Sequence, residues 1–137
     1  DGACKGLLLN SNLPKRIIQL LSTQDLEVAR QSTRACFCLT TNTKMKVYIL
    51  QTQASTITSL IQSGLRFKCN HILRNIAGLI ANLIIGGRFK ENEETDNSLA
   101  DFLVELLSNK DAGVLSQTTR CLFALSAGSL AQKKKIL

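Results

Sequence analysis

The sequence has no tryptophan, one proline, one histidine, one tyrosine and one methionine in 137 residues, and aromatics are only 4% of it. With a single histidine, any Ser-His or Cys-His arrangement has one possible base, His71, which sits beside Asn70 where a helix begins. No G-x-G-x-x-G, G-x-x-x-x-G-K-[ST] or G-x-S-x-G pattern occurs, so the usual phosphate cradles and the nucleophile elbow are missing. The densest carboxylates, Glu91, Glu93, Glu94 and Asp96, lie in a polar stretch where nothing would desolvate them for acid catalysis. The chain reads as a non-enzyme that implies no cofactor. One proline and little apolar alternation exclude a sandwich or barrel, which needs a turn signal about every ten residues. The longest apolar run, 76–85, is interrupted by Asn82 and falls short of the roughly 18 residues that cross a bilayer, so no membrane insertion is expected.

Residues 1–10 lack the basic start and cleavage pattern of a signal peptide. The five cysteines, at 4, 36, 38, 69 and 121, form no disulfide framework, and all but Cys4 fall in apolar helical segments. They read as buried thiols in a reducing compartment, cytoplasm or nucleus. Cys36-x-Cys38 with Cys69-x-His71 is the best metal candidate. Residues two apart on a helix diverge by about 200°, however, so both cysteines cannot face one ion, and no metal is expected.

What is present is an apolar share of 45%, enough to bury a core, and a formal net charge of +7. Lys133, Lys134 and Lys135 supply three of those charges and read as the wet face of a short helix. The chain also repeats itself. Laid over Leu99–Leu125 with a shift of 86, Leu13–Leu39 matches at eleven of 27 positions, among them Leu20, Leu21, Asp25, Val28, Thr33, Arg34 and Phe37. A weaker middle copy contains Ile57, Leu60 and Ile61, then Ile72, Ile76, Leu79, Ile80 and Leu83.

Apolar spacing within each copy follows i, i+3, i+4, as in Ile17, Leu20 and Leu21, or Leu103, Leu106 and Leu107. Val28, Ser32, Ala35, Cys36 and Leu39 are expected to line one buried stripe of a longer helix. Ser22–Asp25 and Ser108–Asp111 supply oxygens that can cap that helix. Short helices are expected at Ala3–Leu9, Lys44–Gln51 and Leu130–Leu137. Each unit is then a short, a medium and a long helix, with repeats at about 1–42, 43–86 and 87–128 and the start of another at 129–137. Gly86 to Ser98 departs from the pattern and reads as a solvated insertion or an acidic docking tail. The chain opens on Asp1, and both ends read as mid-repeat, so a longer parent with further repeats is expected.

A three-helix unit of this length, with Leu13-Pro14 through Ser22, Ala77–Leu83 and Leu122–Ser126, resembles the armadillo repeat over nearly the whole chain. HEAT-type pairing is its neighbour. The resemblance implies an all-α, right-handed superhelix of about three repeats plus part of a fourth, in which third helices line a concave groove. It also implies protein binding, so the chain is expected to be a scaffold or adaptor.

On those third helices Arg34 and Arg120 share a register position, as do Arg30 and Arg74, with Asn75, Asn82 and Gln117 nearby. Guanidinium forks at recurring positions suit carboxylates or phosphates, and side-chain amides can fix an extended peptide backbone. The expected partner is therefore an extended acidic or phosphorylated protein segment. Members that carry nuclear-import signals use paired Trp and Asn on this face; only Asn82 matches, and the basic charge opposes a basic signal. The catenin-like members, which hold acidic peptides, are the closer likeness in charge. Nucleic acid is disfavoured, because Tyr48 and five phenylalanines leave little to stack on bases. Leu122–Ser126 also looks like a run in the armadillo-like exchange factors of Hsp70 chaperones, which makes a co-chaperone one alternative and a structural spacer another. The sequence leaves the oligomeric state open.

Overall fold

The computed structural model describes residues 13–52, 56–85 and 93–136. Among them the protein is all-helical, with no strand. In chain order the helices are α1 (Leu13–Leu20), α2 (Leu26–Leu39), α3 (Thr43–Thr52), α4 (Thr56–Phe67), α5 (Asn70–Ile84), α6 (Glu93–Leu107) and α7 (Ala112–Ile136). The long helix α5 lies between α2 and α7, while α4 packs on α5 and α6, and α1 on α2. The short helix expected at Ala3–Leu9 lies outside the described residues.

The repeat of 86 reappears in the hydrogen bonding of the turns. Asp25 Oδ1 accepts from Val28 N at 2.8 Å, and Asp111 Oδ1 accepts from Val114 N at 2.9 Å. Just before each cap, Asp25 N donates to Thr23 Oγ1 and Asp111 N to Asn109 Oδ1. Ser22 and Ser108, like Thr23 and Asn109, each donate a backbone N–H three residues back. Each aspartate satisfies a donor that the helix start would otherwise leave orphaned.

The middle copy makes its turn differently. α4 ends with Lys68 at φ 50°, in the left-handed region, and Lys68 N donates to Gly64 O. That bond closes α4 as a glycine would, at a cost of about 1 kcal/mol for a side chain held there. Cys69 then precedes α5 without a side-chain cap.

α5 is the core of the molecule. Ten of its fifteen residues are buried, including every residue from Ile76 to Leu83. A helix apolar on nearly all sides is stable only when surrounded. α2 and α7 flank it, and Lys46 of α3 donates to Ile85 O at its C-terminal end. Gly78 admits α2 at close range. A Cβ built there would stand 1.7 Å from the Phe37 ring, so the ring occupies the space a side chain would take.

Three expectations change. The buried stripe of α2 is Ala29, Ser32, Thr33 and Cys36, with Thr40 just beyond, whereas Val28 is exposed and Ala35 and Leu39 are half-buried. The cause is that α2 buries the side facing α5, so the stripe turns toward that neighbour. The polar segment 86–98 is not all insertion: residues 86–92 lie outside the described residues, but Glu93–Ser98 form the first turns of α6. Its carboxylates at Glu93, Glu94 and Asp96 suit the positive end of a helix. Nor does a new short helix begin at Leu130. α7 runs unbroken to Ile136, because Gly128 costs only about 1 kcal/mol in a helix and the Ala, Gln and Lys after it are strong formers.

Gly78→Ala is expected to lower stability by about 1–3 kcal/mol in urea unfolding, although alanine is the better helix former. Gly113→Ala, where a Cβ meets the flexible Arg74 side chain and the edge of the Asp111 carboxylate that caps α7, should cost less than Gly78→Ala, within about 1 kcal/mol. A Gly78→Ala protein as stable as its parent would mean that the Phe37 ring moves aside freely.

Candidate partner-binding face

The arginines singled out by the repeat lie on three neighbouring helices. Arg30 and Arg34 stand on α2, Arg74 on α5 and Arg120 on α7. Arg30 is the one already neutralised. Its Nη1 lies 3.0 Å from Glu27 Oε2, the single ion pair among the described residues, and Glu27 Oε1 also accepts from Gln31. Arg34 is exposed and makes no hydrogen bond or ion pair with another described residue.

Arg74 Nη2 donates to His71 Nδ1 at 3.1 Å, so that ring nitrogen acts as acceptor, since a guanidinium only donates. Arg120 donates to two amide oxygens, Asn82 Oδ1 and Gln117 Oε1. Among the described residues, Arg34, Arg74 and Arg120 have neutral hydrogen-bond partners or none, and none of them forms an ion pair. The Asp111 carboxylate nevertheless lies near Arg74, since both come within 3.1 Å of the space a Cβ on Gly113 would take. Asp25 and Asp111 hold the N-termini of α2 and α7.

The asparagines are placed differently from the expected groove floor. Asn82 is 3% exposed, and its Nδ2 donates to Thr40 Oγ1 at 3.1 Å and to Phe37 O at 3.3 Å. Asn75 is half-buried, and its Nδ2 donates to Thr33 Oγ1 and Arg30 O. Both amide donors therefore tie α5 to α2. The remaining oxygen of Asn82 orients Arg120, so this residue positions a cation. Gln117 is half-buried, with no described acceptor on its Nε2. Together with the Phe37 ring over Gly78, these bonds close the surface above the C-terminal half of α5. Arg74 is exposed beside the first turn of α5, and Arg120 beside Asn82 near its other end. The pairing of Gly78 with Phe37, too, was hidden from the repeat pattern, because that pattern does not say which helix faces which.

The cysteines separate sharply. Cys36 and Cys121 are buried, Cys69 is half-buried and Cys38 is exposed, against the expectation of four buried thiols. Cys38 points away because it sits two residues beyond a buried position on the same helix. No group of metal-ligating side chains comes together among the described residues. Burial pushes the Cys36 thiol up to about 12. Elsewhere, a cleft of about 250 Å³ between α4, α5 and α6 is rimmed by Lys68, Glu105 and Asn109. It is smaller than the roughly 300 Å³ at which ligand pockets begin.

No helix among the described residues is long and apolar enough to cross a membrane. No family model, curated protein or solved structure matches the chain.

The thiols yield a pH prediction. The fold keeps Cys36 protonated, whereas the unfolded chain ionises it above its ordinary pKa of about 8.5. Its contribution is therefore intact at neutral pH. It is lost above that pKa at about 1.4 kcal/mol per pH unit until the folded thiol also ionises near 12. Cys36→Ala should flatten this slope in urea titrations between pH 8.5 and 10 (about 1.5 units of the window). Under native conditions iodoacetamide should modify Cys38 and spare Cys36; equal labelling of the two would contradict the assignment.

Proposed function

We propose that the chain is an armadillo-like α-solenoid segment that acts in cytoplasm or nucleus as a non-catalytic binding module. Its ligand is an extended acidic or phosphorylated segment of a partner protein, laid across α2, α5 and α7 over the exposed arginines. The observation that carries this reading is cationic side chains without an ion-pair partner. Arg34, Arg74 and Arg120 stand on three neighbouring long helices, and none has an acidic partner among the described residues.

A carboxylate or phosphate there meets planar forks that accept two-point contact. Gln117 contributes an amide N–H for a peptide carbonyl. Asn75 keeps its Oδ1 without a described donor, so it can accept from a peptide N–H. Asn82 serves indirectly by holding Arg120. The hydrogen bonds spanning 42 to 45 residues between α2 and α5 support the stacked arrangement, since each joins matching parts of consecutive copies.

The test is fluorescence anisotropy with a labelled peptide of about ten residues rich in glutamate and phosphoserine. Arg34→Glu, on a side chain without structural bonds, is expected to weaken binding about tenfold, the size of one lost charge-assisted contact. Raising salt from about 50 to 200 mM should weaken it further, and a lysine-rich control peptide should not bind. Equal affinity for the parent and Arg34→Glu proteins would remove the arginine face as the site.

A further inference from the structure

Arg74 is held along two edges, and one of them depends on a proton. Its Cδ and Nη1 lie 2.6 and 3.1 Å from the place a Cβ on Gly113 would take, so the bare second residue of α7 makes room for it. In the first copy that register position carries Glu27, which pairs with Arg30. The other edge, Nη2, donates to His71 Nδ1 at 3.1 Å. A guanidinium has no lone pair to offer, so this bond exists only while Nδ1 carries no proton.

Both side chains are exposed, and neither forms an ion pair among the described residues. An imidazole changes charge between about pH 5 and 8, and the sequence has no other side chain whose ordinary titration falls there. Protonation turns Nδ1 from an acceptor into a donor. The bond to Arg74 is then lost, and two N–H donors on nitrogens 3.1 Å apart are left side by side at the surface. The charged groups at this end of the helices packed on α5 are Asp25, Glu27 and Arg30 at the start of α2, Lys68 after α4, and Lys110 and Asp111 before α7. The acids among them are in use. Asp25 and Asp111 accept from backbone N–H groups, and Glu27 accepts from Arg30 and Gln31. Asp111 also borders the Gly113 space on the Nη1 edge of Arg74, which leaves the Nη2 edge to find a new acceptor.

We propose that His71, as the imidazolium, is a ligand-contacting residue of the arginine face. Its Nδ1–H and the freed Arg74 Nη2 together clamp one carboxylate of the acidic segment, which therefore binds more tightly as the pH falls. The clamp rests on the reading of the arginine face as the site for such a segment. A carboxylate between the two groups accepts a charge-assisted hydrogen bond from each and offsets the repulsion between two adjacent cations. Because the ligand prefers the protonated ring, binding takes up a proton, and by linkage protonation raises affinity. The gain is complete below the imidazole range and is lost as the pH rises through it.

The probe is a labelled glutamate-rich peptide of about ten residues without phosphate, because a phosphate itself changes charge near about pH 6. It is titrated with the 137-residue chain and followed by anisotropy at constant ionic strength. Affinity is expected to be about tenfold higher at about pH 5.5 than at about pH 7.5, the size of one charge-assisted hydrogen bond. His71→Gln keeps an acceptor for Arg74 but does not titrate, so it should reduce that change to less than about twofold with circular dichroism unaltered. With one histidine in the chain, 15N-histidine NMR reads this ring alone, and at about pH 6.5 the peptide should raise its protonated fraction. Affinity that Arg34→Glu lowers but pH leaves unchanged would overturn the clamp and keep the arginine face. The same gain on acidification in His71→Gln would place the titration elsewhere and sink it equally. Ring signals that do not respond to bound peptide would exclude His71 from the site. Absence of binding at both pH values would remove the clamp together with the reading on which it rests.

Discussion

Everything in this molecule is arranged around a helix with almost no wet side. α5 is buried from Ile76 to Leu83, so any polar group on that stretch must find its partner inside the protein. Asn82 does so completely, with two acceptors on α2 for its Nδ2 and a guanidinium of α7 on its oxygen. That one side chain joins three helices. An apolar residue in its place would leave the Phe37 carbonyl and the Arg120 guanidinium each without a bond they now have. Gly78 sets the other limit, since α2 can approach only where no Cβ stands in the way of Phe37. Close packing and polar satisfaction therefore fix the same contact between α2 and α5.

The surface charge follows from where the acids are used. Asp25 and Asp111 sit at helix N-termini, where both the orphaned N–H groups and the helix dipole favour a carboxylate. Glu27 is shared between Arg30 and Gln31. With 17 Lys and Arg against 10 Asp and Glu, this leaves the other arginines of the three long helices without an ion-pair partner among the described residues. Such a surface attracts anions and repels another cationic surface, an effect that salt screens. The same arrangement accounts for the charge preference proposed for the partner.

The two terminal copies differ in burial for a geometric reason. The long helix of the middle copy, α5, packs against α2 on one side and α7 on the other. α2 buries Thr33 and Thr40 toward α5, whereas α7 buries Val114, Thr118 and Cys121 toward the same helix from the opposite direction. The equivalents of the first set on α7 face solvent, and Val28, the equivalent of Val114, is exposed on α2. Identical side chains thus end up inside or outside according to which side of their helix packs on α5. Intrinsic hydrophobicity does not decide between them.

That contrast marks the boundary between sequence and structure. The apolar rhythm of Ile17, Leu20 and Leu21, the shift of 86 and the capping aspartates are local or periodic features. Helix formation answers to such features directly, so helix positions, the all-α class and the equivalence of Arg34 with Arg120 were legible from the residues alone. A periodic pattern marks which residues share a helix face but does not name the neighbour that covers it. For that reason the stripe on α2 was read one residue away from its true centre, Cys38 was taken as buried, and Asn75 and Asn82 were taken as open groove amides. Local propensity also hid two boundaries: the acidic start of α6 resembled a loop, and a separate short helix was expected from Leu130 where α7 continues. The sequence by itself determined the helices and their repetition. Only the tertiary structure decided which amides tie helices together and which arginines stay without an ion-pair partner, because burial and pairing depend on what lies across the interface.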